Sequence, residues 1–169
     1  RDCLLSRGLG DVYKRQEEYI PCQVTLTGIG KVEHLDNTGS VPVAPVGGVV
    51  SRQAYMLRIP LDFEYEKEIV EGTYYEYILT DTIANIQIIS LTAYDESHPA
   101  GTDVNELFMN YPLRQEDQLT DYKYGYMYGT VFYKIPRTLP QAGVHRFKVV
   151  VTTRKGEEFA KETDEITMQ

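Results

Sequence analysis

The chain has 169 residues, which suits one domain with a hydrophobic core of its own. A net charge of −8 and a pI near 4.9 argue against a nucleic-acid partner, because binding phosphate requires a clustered basic surface. The apolar runs are short and interrupted, far below the roughly 20 consecutive residues of a spanning helix.

Residues 1–16, Arg1-Asp-Cys-Leu-Leu-Ser-Arg-Gly-Leu-Gly-Asp-Val-Tyr-Lys-Arg-Gln16, resemble a translated sequencing-adaptor scar and stay outside the fold reasoning. The segment carries four basic and two acidic residues, so residues 17–169, read as a single domain, hold a net charge of −10. Cys3 goes with it. Cys22 is left without an internal partner and shares strand parity with Val24 and Leu26, which reads as a buried small hydrophobe. A lipidated cysteine would need an apolar signal segment just before it, and Glu17-Glu-Tyr-Ile-Pro21 is none.

The first strand is expected from Ile20 to Val32, with Cys22, Val24 and Leu26 inward and Gln23, Thr25 and Thr27 outward. Asp36 to Gly48 is rich in turn formers and reads as a surface loop. A long strand follows, with Tyr55, Leu57, Ile59, Leu61, Phe63 and Tyr65 on one face, and Pro60 is expected to confine it to a sheet edge or a bend. Its other face continues as Asp62, Glu64, Glu66 and Glu68, an acidic row suited to opposing edge-to-edge pairing or to meeting a cation or basic partner. Tyr74 to Leu79 and Ile83 to Tyr94 are two more strands joined by a turn at Asp81. The second of these changes parity between Ile88 and Ile89, which predicts a bulge there.

Asp95-Glu-Ser-His-Pro-Ala-Gly-Thr102 breaks the β pattern. Asp103 with Glu106, and Val104, Leu107, Phe108 and Tyr111 at helical spacing, predict a helix of about two turns that ends at Pro112 and buries Phe108. Tyr122 to Ile135 reads as a long strand. Gly143 to Thr153 is another, with His145, Phe147, Val149 and Val151 inward, and it closes a hairpin through Arg154-Lys-Gly-Glu157. Phe159 lies on the opposite parity from Ile166 and Met168, so the return strand must bend. The fold class is all-β: an immunoglobulin- or fibronectin-like antiparallel sandwich of about seven strands with one short helix.

Ala93 to Phe108, Ala142 to Val151 and the terminal Glu162-Thr-Asp-Glu-Ile-Thr167 together resemble an uncharacterised family of secreted lipoproteins of Bacteroides-type gut bacteria. The resemblance implies export and attachment to the outer membrane or cell surface by a lipid on a cysteine upstream of the sequence given, and it implies no catalytic residues.

The residues themselves support no reaction. His34, His98 and His145 are scattered in sequence, and no Gly-x-Ser-x-Gly elbow or Cys-x-x-Cys pair is present. His145 reads as a core-edge histidine with one hydrogen bond. Asp95, Glu96 and Asp103 crowd oxygens into one loop, where a calcium site and ordinary turn capping both fit the letters, although the EF-hand spacing is missing. No other cofactor is indicated. Tyr122, Tyr124, Tyr126 and Tyr128 share one face at strand spacing. Such rings stack on sugars or dock proteins, and they equally pack between strands. Two functions follow: a non-enzymatic binding module for a glycan or an envelope protein, or a structural spacer domain.

Overall fold

Strand β1 (Ile20–Ile29) buries Cys22, Val24 and Leu26 and exposes Gln23, Thr25 and Thr27, as their alternation predicts. The computed structural model describes residues 19–111 and 131–169. A bulge between Leu26 and Gly28 then changes the parity of β1 and turns Ile29 inward.

The expected long strand is β4 (Tyr55–Tyr65), which buries Tyr55, Leu57, Ile59 and Leu61. Pro60 does not put it at an edge. β4 is central, flanked on one side by β2 (Glu33–Asp36) and then β1, and on the other by β8 (Val131–Pro136). Pro60 falls where β2 hands over to β1, so its missing N–H costs no ladder bond. In that gap Gly30 N–H donates to the Pro60 carbonyl at 2.9 Å, and a Cβ on Gly30 would lie 3.0 Å from Pro60 Cγ. A side chain at Gly30 would therefore crowd the Pro60 ring.

Two further strands complete this six-stranded sheet: β5 (Tyr75–Leu79) runs parallel to β1 at one end, and β7 (Phe108–Asn110) pairs with β8 at the other. A second sheet orders β11 (Glu158–Glu162), β10 (Phe147–Thr153) and β6 (Ile83–Ser90). A third orders β3 (Val49–Val50), β12 (Ile166–Met168) and β9 (Gly143–His145). The described residues form twelve strands, in the expected all-β sandwich, and most of the expected strand Tyr122 to Ile135 lies outside them.

Four local expectations change. The helix from Asp103 to Tyr111 is a single 3-10 turn, Asn105–Leu107, followed directly by β7. The Asp103 carboxylate accepts the Ile88 N–H at 3.1 Å and Val104 N–H donates to the Ile88 carbonyl at 2.7 Å, so pairing with β6 overrides helical spacing. Phe108 is buried as expected. In β6 the irregularity lies not at Ile88 but at the start, where the register against β10 slips between Asn85 and Ile83. The closing strand divides at Arg146 into β9 and β10, with His145, Phe147, Val149 and Val151 all buried. The parity conflict of the return strand is resolved by a change of sheet: Phe159 stays in β11 against β10, while Ile166 and Met168 in β12 pair with β9.

The core lies between the sheets. Leu26, Leu57, Ile59, Leu61 and Phe132 meet Ile86, Ile88, Val149 and Val151. At one end Phe147 lies 6.1 Å from Tyr55, 6.3 Å from Tyr94 and 5.9 Å from Phe108 between ring centroids. Lys134 on β8, opposite Leu57, is only 6% exposed, and burial pushes its ammonium down to about 8.

Candidate binding surface

The tyrosine run Tyr122, Tyr124, Tyr126 and Tyr128 lies outside the described residues. Asp95, Glu96 and Asp103 form a turn instead of a cage. The Asp95 carboxylate accepts the Ser97 N–H at 2.9 Å and the His98 Nδ1–H at 2.7 Å, and the His98 contact holds its carboxyl below the usual carboxylate range. Glu96 is exposed. Asp103 spends one oxygen on the N–H groups of Ile88 and Asn105. Among the described residues no three His, Cys, Asp or Glu side chains gather to hold a metal ion.

The fold joins all three dispersed histidines to one aromatic cluster, His98 at its margin edge-on to Tyr94 at 6.4 Å, and His34 and His145 around Phe147. His34 Nδ1 accepts from the Tyr55 hydroxyl at 2.6 Å while its Nε2–H donates to the Asp164 carbonyl at 2.7 Å, tying β2 to the segment that leads into β12. His145 stacks on Phe147 at 6.1 Å and 10°, and its Nε2–H donates to the Gln141 carbonyl at 2.6 Å. That is the single bond expected of it, and its buried Nδ1 has no hydrogen-bond partner. Burial lowers the pKa of both rings. Both nitrogens of His34 are occupied and the spare one of His145 is buried, so the pair acts as internal ties. Beside His34 a cleft of about 170 Å³ is lined by Lys31, Glu33, Pro45, Asp164 and Glu165.

A different surface assembles tyrosines. Register pairs place Ile20 beside Tyr75, Cys22 beside Tyr77 and Val24 between Leu79 and Tyr65, so these side chains share the inward face of the first sheet. At this end the face is only partly covered. The Tyr65 ring meets Tyr77 edge-on at 5.7 Å and Tyr77 stacks on Tyr75 at 5.9 Å and 30°, over the fully buried Cys22. Tyr65 keeps 39% of its surface exposed, and Tyr75 and Tyr77 are half-buried. The Tyr75 hydroxyl accepts the Val70 N–H at 3.0 Å and donates to the Glu68 carbonyl at 3.3 Å, which holds the 66–74 loop against the ring row. On the opposite face Tyr74 and Tyr19 make a second ring contact at 5.6 Å. Alternation in Tyr75 and Tyr77 is readable in the sequence, but their meeting with Tyr65 depends on the parallel β1–β5 pairing, which leaves no local signal.

The acidic row is also redistributed. Asp62 and Glu64 are exposed on β4, whereas Glu66 and Glu68 lie past its end in the loop, where Glu66 contacts Lys67 at 2.8 Å.

Fold and surface define an all-β sandwich whose first sheet ends in a row of partly exposed tyrosines. Residues 29–164 match the family described as Domain of unknown function (DUF5034), and the chain belongs to that family. No curated protein matches it. Among solved structures, a chain titled BspA_C_mut aligns with 83% of this chain at 9% identity and a TM-score of 0.27. The C-terminal domain of the AgI/II polypeptide BspA of Streptococcus agalactiae aligns with 83% at 10% identity and a TM-score of 0.24. The alignments span 46% and 49% of those two chains, about half their length.

Proposed function

We propose that the protein is a non-enzymatic module of the cell envelope that binds a glycan or a protein partner through a tyrosine-rich face. The observation that carries this reading is the contiguous Tyr65, Tyr77 and Tyr75 row on a sheet face that the second sheet leaves partly open. Flat rings with hydroxyl tips suit stacking against sugars and docking of peptide surfaces. The run Tyr122, Tyr124, Tyr126 and Tyr128 supplies a second set of the same chemistry. Similarity of residues 93–108 and 142–151 to exported lipoproteins of Bacteroides-type bacteria supports an outer-membrane or cell-surface location, with a lipid on a cysteine upstream of the sequence given.

The test is retention on an array of neutral oligosaccharides and on envelope proteins. Two double variants are compared, Tyr75→Ala with Tyr77→Ala and Tyr124→Ala with Tyr126→Ala. Ring stacking is insensitive to salt, whereas exposed ion pairs are screened within about 10 Å at 0.1 M. Loss of retention in either folded double variant, unchanged by added salt, supports the reading. No retention by the parent chain leaves a structural spacer as the function, and retention that survives both double variants rules out both tyrosine sets as the binding site.

A further inference from the structure

The tyrosine row borders a strand edge. β5 is the last strand of its sheet, and among the described residues nothing pairs with its outer side. Ile20 N–H donates to the Tyr74 carbonyl at 2.9 Å and Thr80 N–H to the Val24 carbonyl at 3.0 Å, so the even-numbered backbone groups of β5 face β1. By alternation, the N–H and C=O groups of Tyr75, Tyr77 and Leu79 face outward. Natural edges are blunted by proline, lysine, bulges or a covering element. Tyr75 to Leu79 contains neither proline nor lysine, its one charged side chain is Glu76, and its register with β1 is unbroken. Apolar side chains flank this edge on both faces: Tyr75 and Tyr77 on one, and the exposed Tyr74 and Ile78, with Glu76 between them, on the other. Ile69 and Val70, 44% and 56% exposed, extend the tyrosine side through the loop that Tyr75 anchors.

Charge selects the occupant. Glu64, Glu66, Glu68, Glu71 and Glu76 lie along or beside this end of the sheet, and Lys67 among them is engaged by Glu66 at 2.8 Å and the Pro21 carbonyl at 2.7 Å. A second copy of the chain would bring the same carboxylates to the edge and be repelled. We propose that the free edge of β5 takes up an extended, lysine- or arginine-bearing segment of a partner protein as an added strand. This rests on the tyrosine-face reading and narrows its ligand to a polypeptide. Main-chain bonds to Tyr75, Tyr77 and Leu79 supply the pairing, alternate apolar side chains lie over the rings, and basic side chains meet the glutamates.

The probe is a labelled peptide of alternating lysine and valine, titrated into the full chain by fluorescence anisotropy. Its counterparts are the same peptide with glutamate for lysine and one with alternate backbone nitrogens methylated. The lysine peptide should bind, and methylation should weaken it about tenfold or more by removing main-chain donors. The exposed-site pair Glu71→Lys with Glu76→Lys should weaken it to a similar extent of about tenfold, and added salt should too. The amides of Tyr75, Tyr77 and Leu79 should gain protection from hydrogen exchange in the complex. Equal binding of the methylated or glutamate peptide overturns the proposal, as does self-association through the same edge in light scattering. If the lysine peptide fails while retention of neutral glycans still depends on Tyr75 and Tyr77, strand addition is wrong and the tyrosine-face function stands. If neither binds, both fall.

Discussion

The two ends of the first sheet present the same face to different surroundings. Around Tyr55 and Leu57 the inward side chains are sealed by β10, β9 and β12, and even histidine is drawn inside. Around Tyr65, Tyr75 and Tyr77 the same face is less fully covered, and among the described residues its own rings and the 66–74 loop help to close it. Alternation along a strand selects a face. Whether that face becomes core or surface is decided by how far the opposite sheet extends.

Substitutions break this comparison in graded steps. The largest effect is expected at the sealed end: Phe147→Ala removes a fully buried ring that touches Tyr55, Tyr94, Phe108 and His145, at a cost of about 3–5 kcal/mol in denaturant unfolding. Next is Lys134→Met. Its ammonium, lowered to about 8 from an unfolded value near 10.4, favours the neutral form in the fold. Stability from this group is therefore complete above about 10.4 and is lost as the pH falls toward 8. At pH 7 the apolar variant should be more stable by about 1–3 kcal/mol, with a difference that shrinks between pH 8 and 10 in thermal melts.

A smaller effect comes from the histidine ties. Burial lowers the pKa of His34 and His145, so the unfolded chain takes up protons first. Their contribution is complete above about pH 6.5 and declines as the pH drops below it. Melting temperature should fall from pH 6.5 toward 5, and His145→Leu should flatten that limb whatever it does to absolute stability. The smallest effect belongs to the open end. Tyr75→Ala should cost less than about 1.5 kcal/mol, since its ring is half-buried and packs beside one other ring of the row. A cost equal to that of Phe147→Ala would show that the open end is core.

Much of the core was legible because period-2 burial is a local property: Cys22, Val24 and Leu26 in β1, Tyr55, Leu57, Ile59 and Leu61 in β4, and His145, Phe147, Val149 and Val151 all took the predicted side. The helix at Asp103 was misread because its spacing also suits a 3-10 turn entering a strand, and the deciding bonds come from Ile88. Pro60 misled for a related reason, since its tolerance rests on two different neighbours meeting at one point of β4. Of the candidate sites, Asp95, Glu96 and Asp103 are legible in composition, but Asp95 is engaged by the Ser97 N–H and His98, Asp103 by the N–H groups of Ile88 and Asn105, and Glu96 is exposed, which only geometry reveals. The tyrosine row required a parallel pairing between residues about 55 apart, Ile20 with Tyr75.

The pairing of β12 with β3 has a consequence for how the chain reaches this state. Met168 lies beside Val50 and the Gln169 N–H bonds the Val50 carbonyl at 3.0 Å, so two segments more than a hundred residues apart close the third sheet together. During synthesis β3 must wait for its partner until residues 166–168 have left the ribosome. Non-local closure of this kind places folding in the milliseconds-to-seconds range of β-rich domains. A chain truncated before Ile166 would leave β3 and β9 without a partner and expose strand edges during biogenesis.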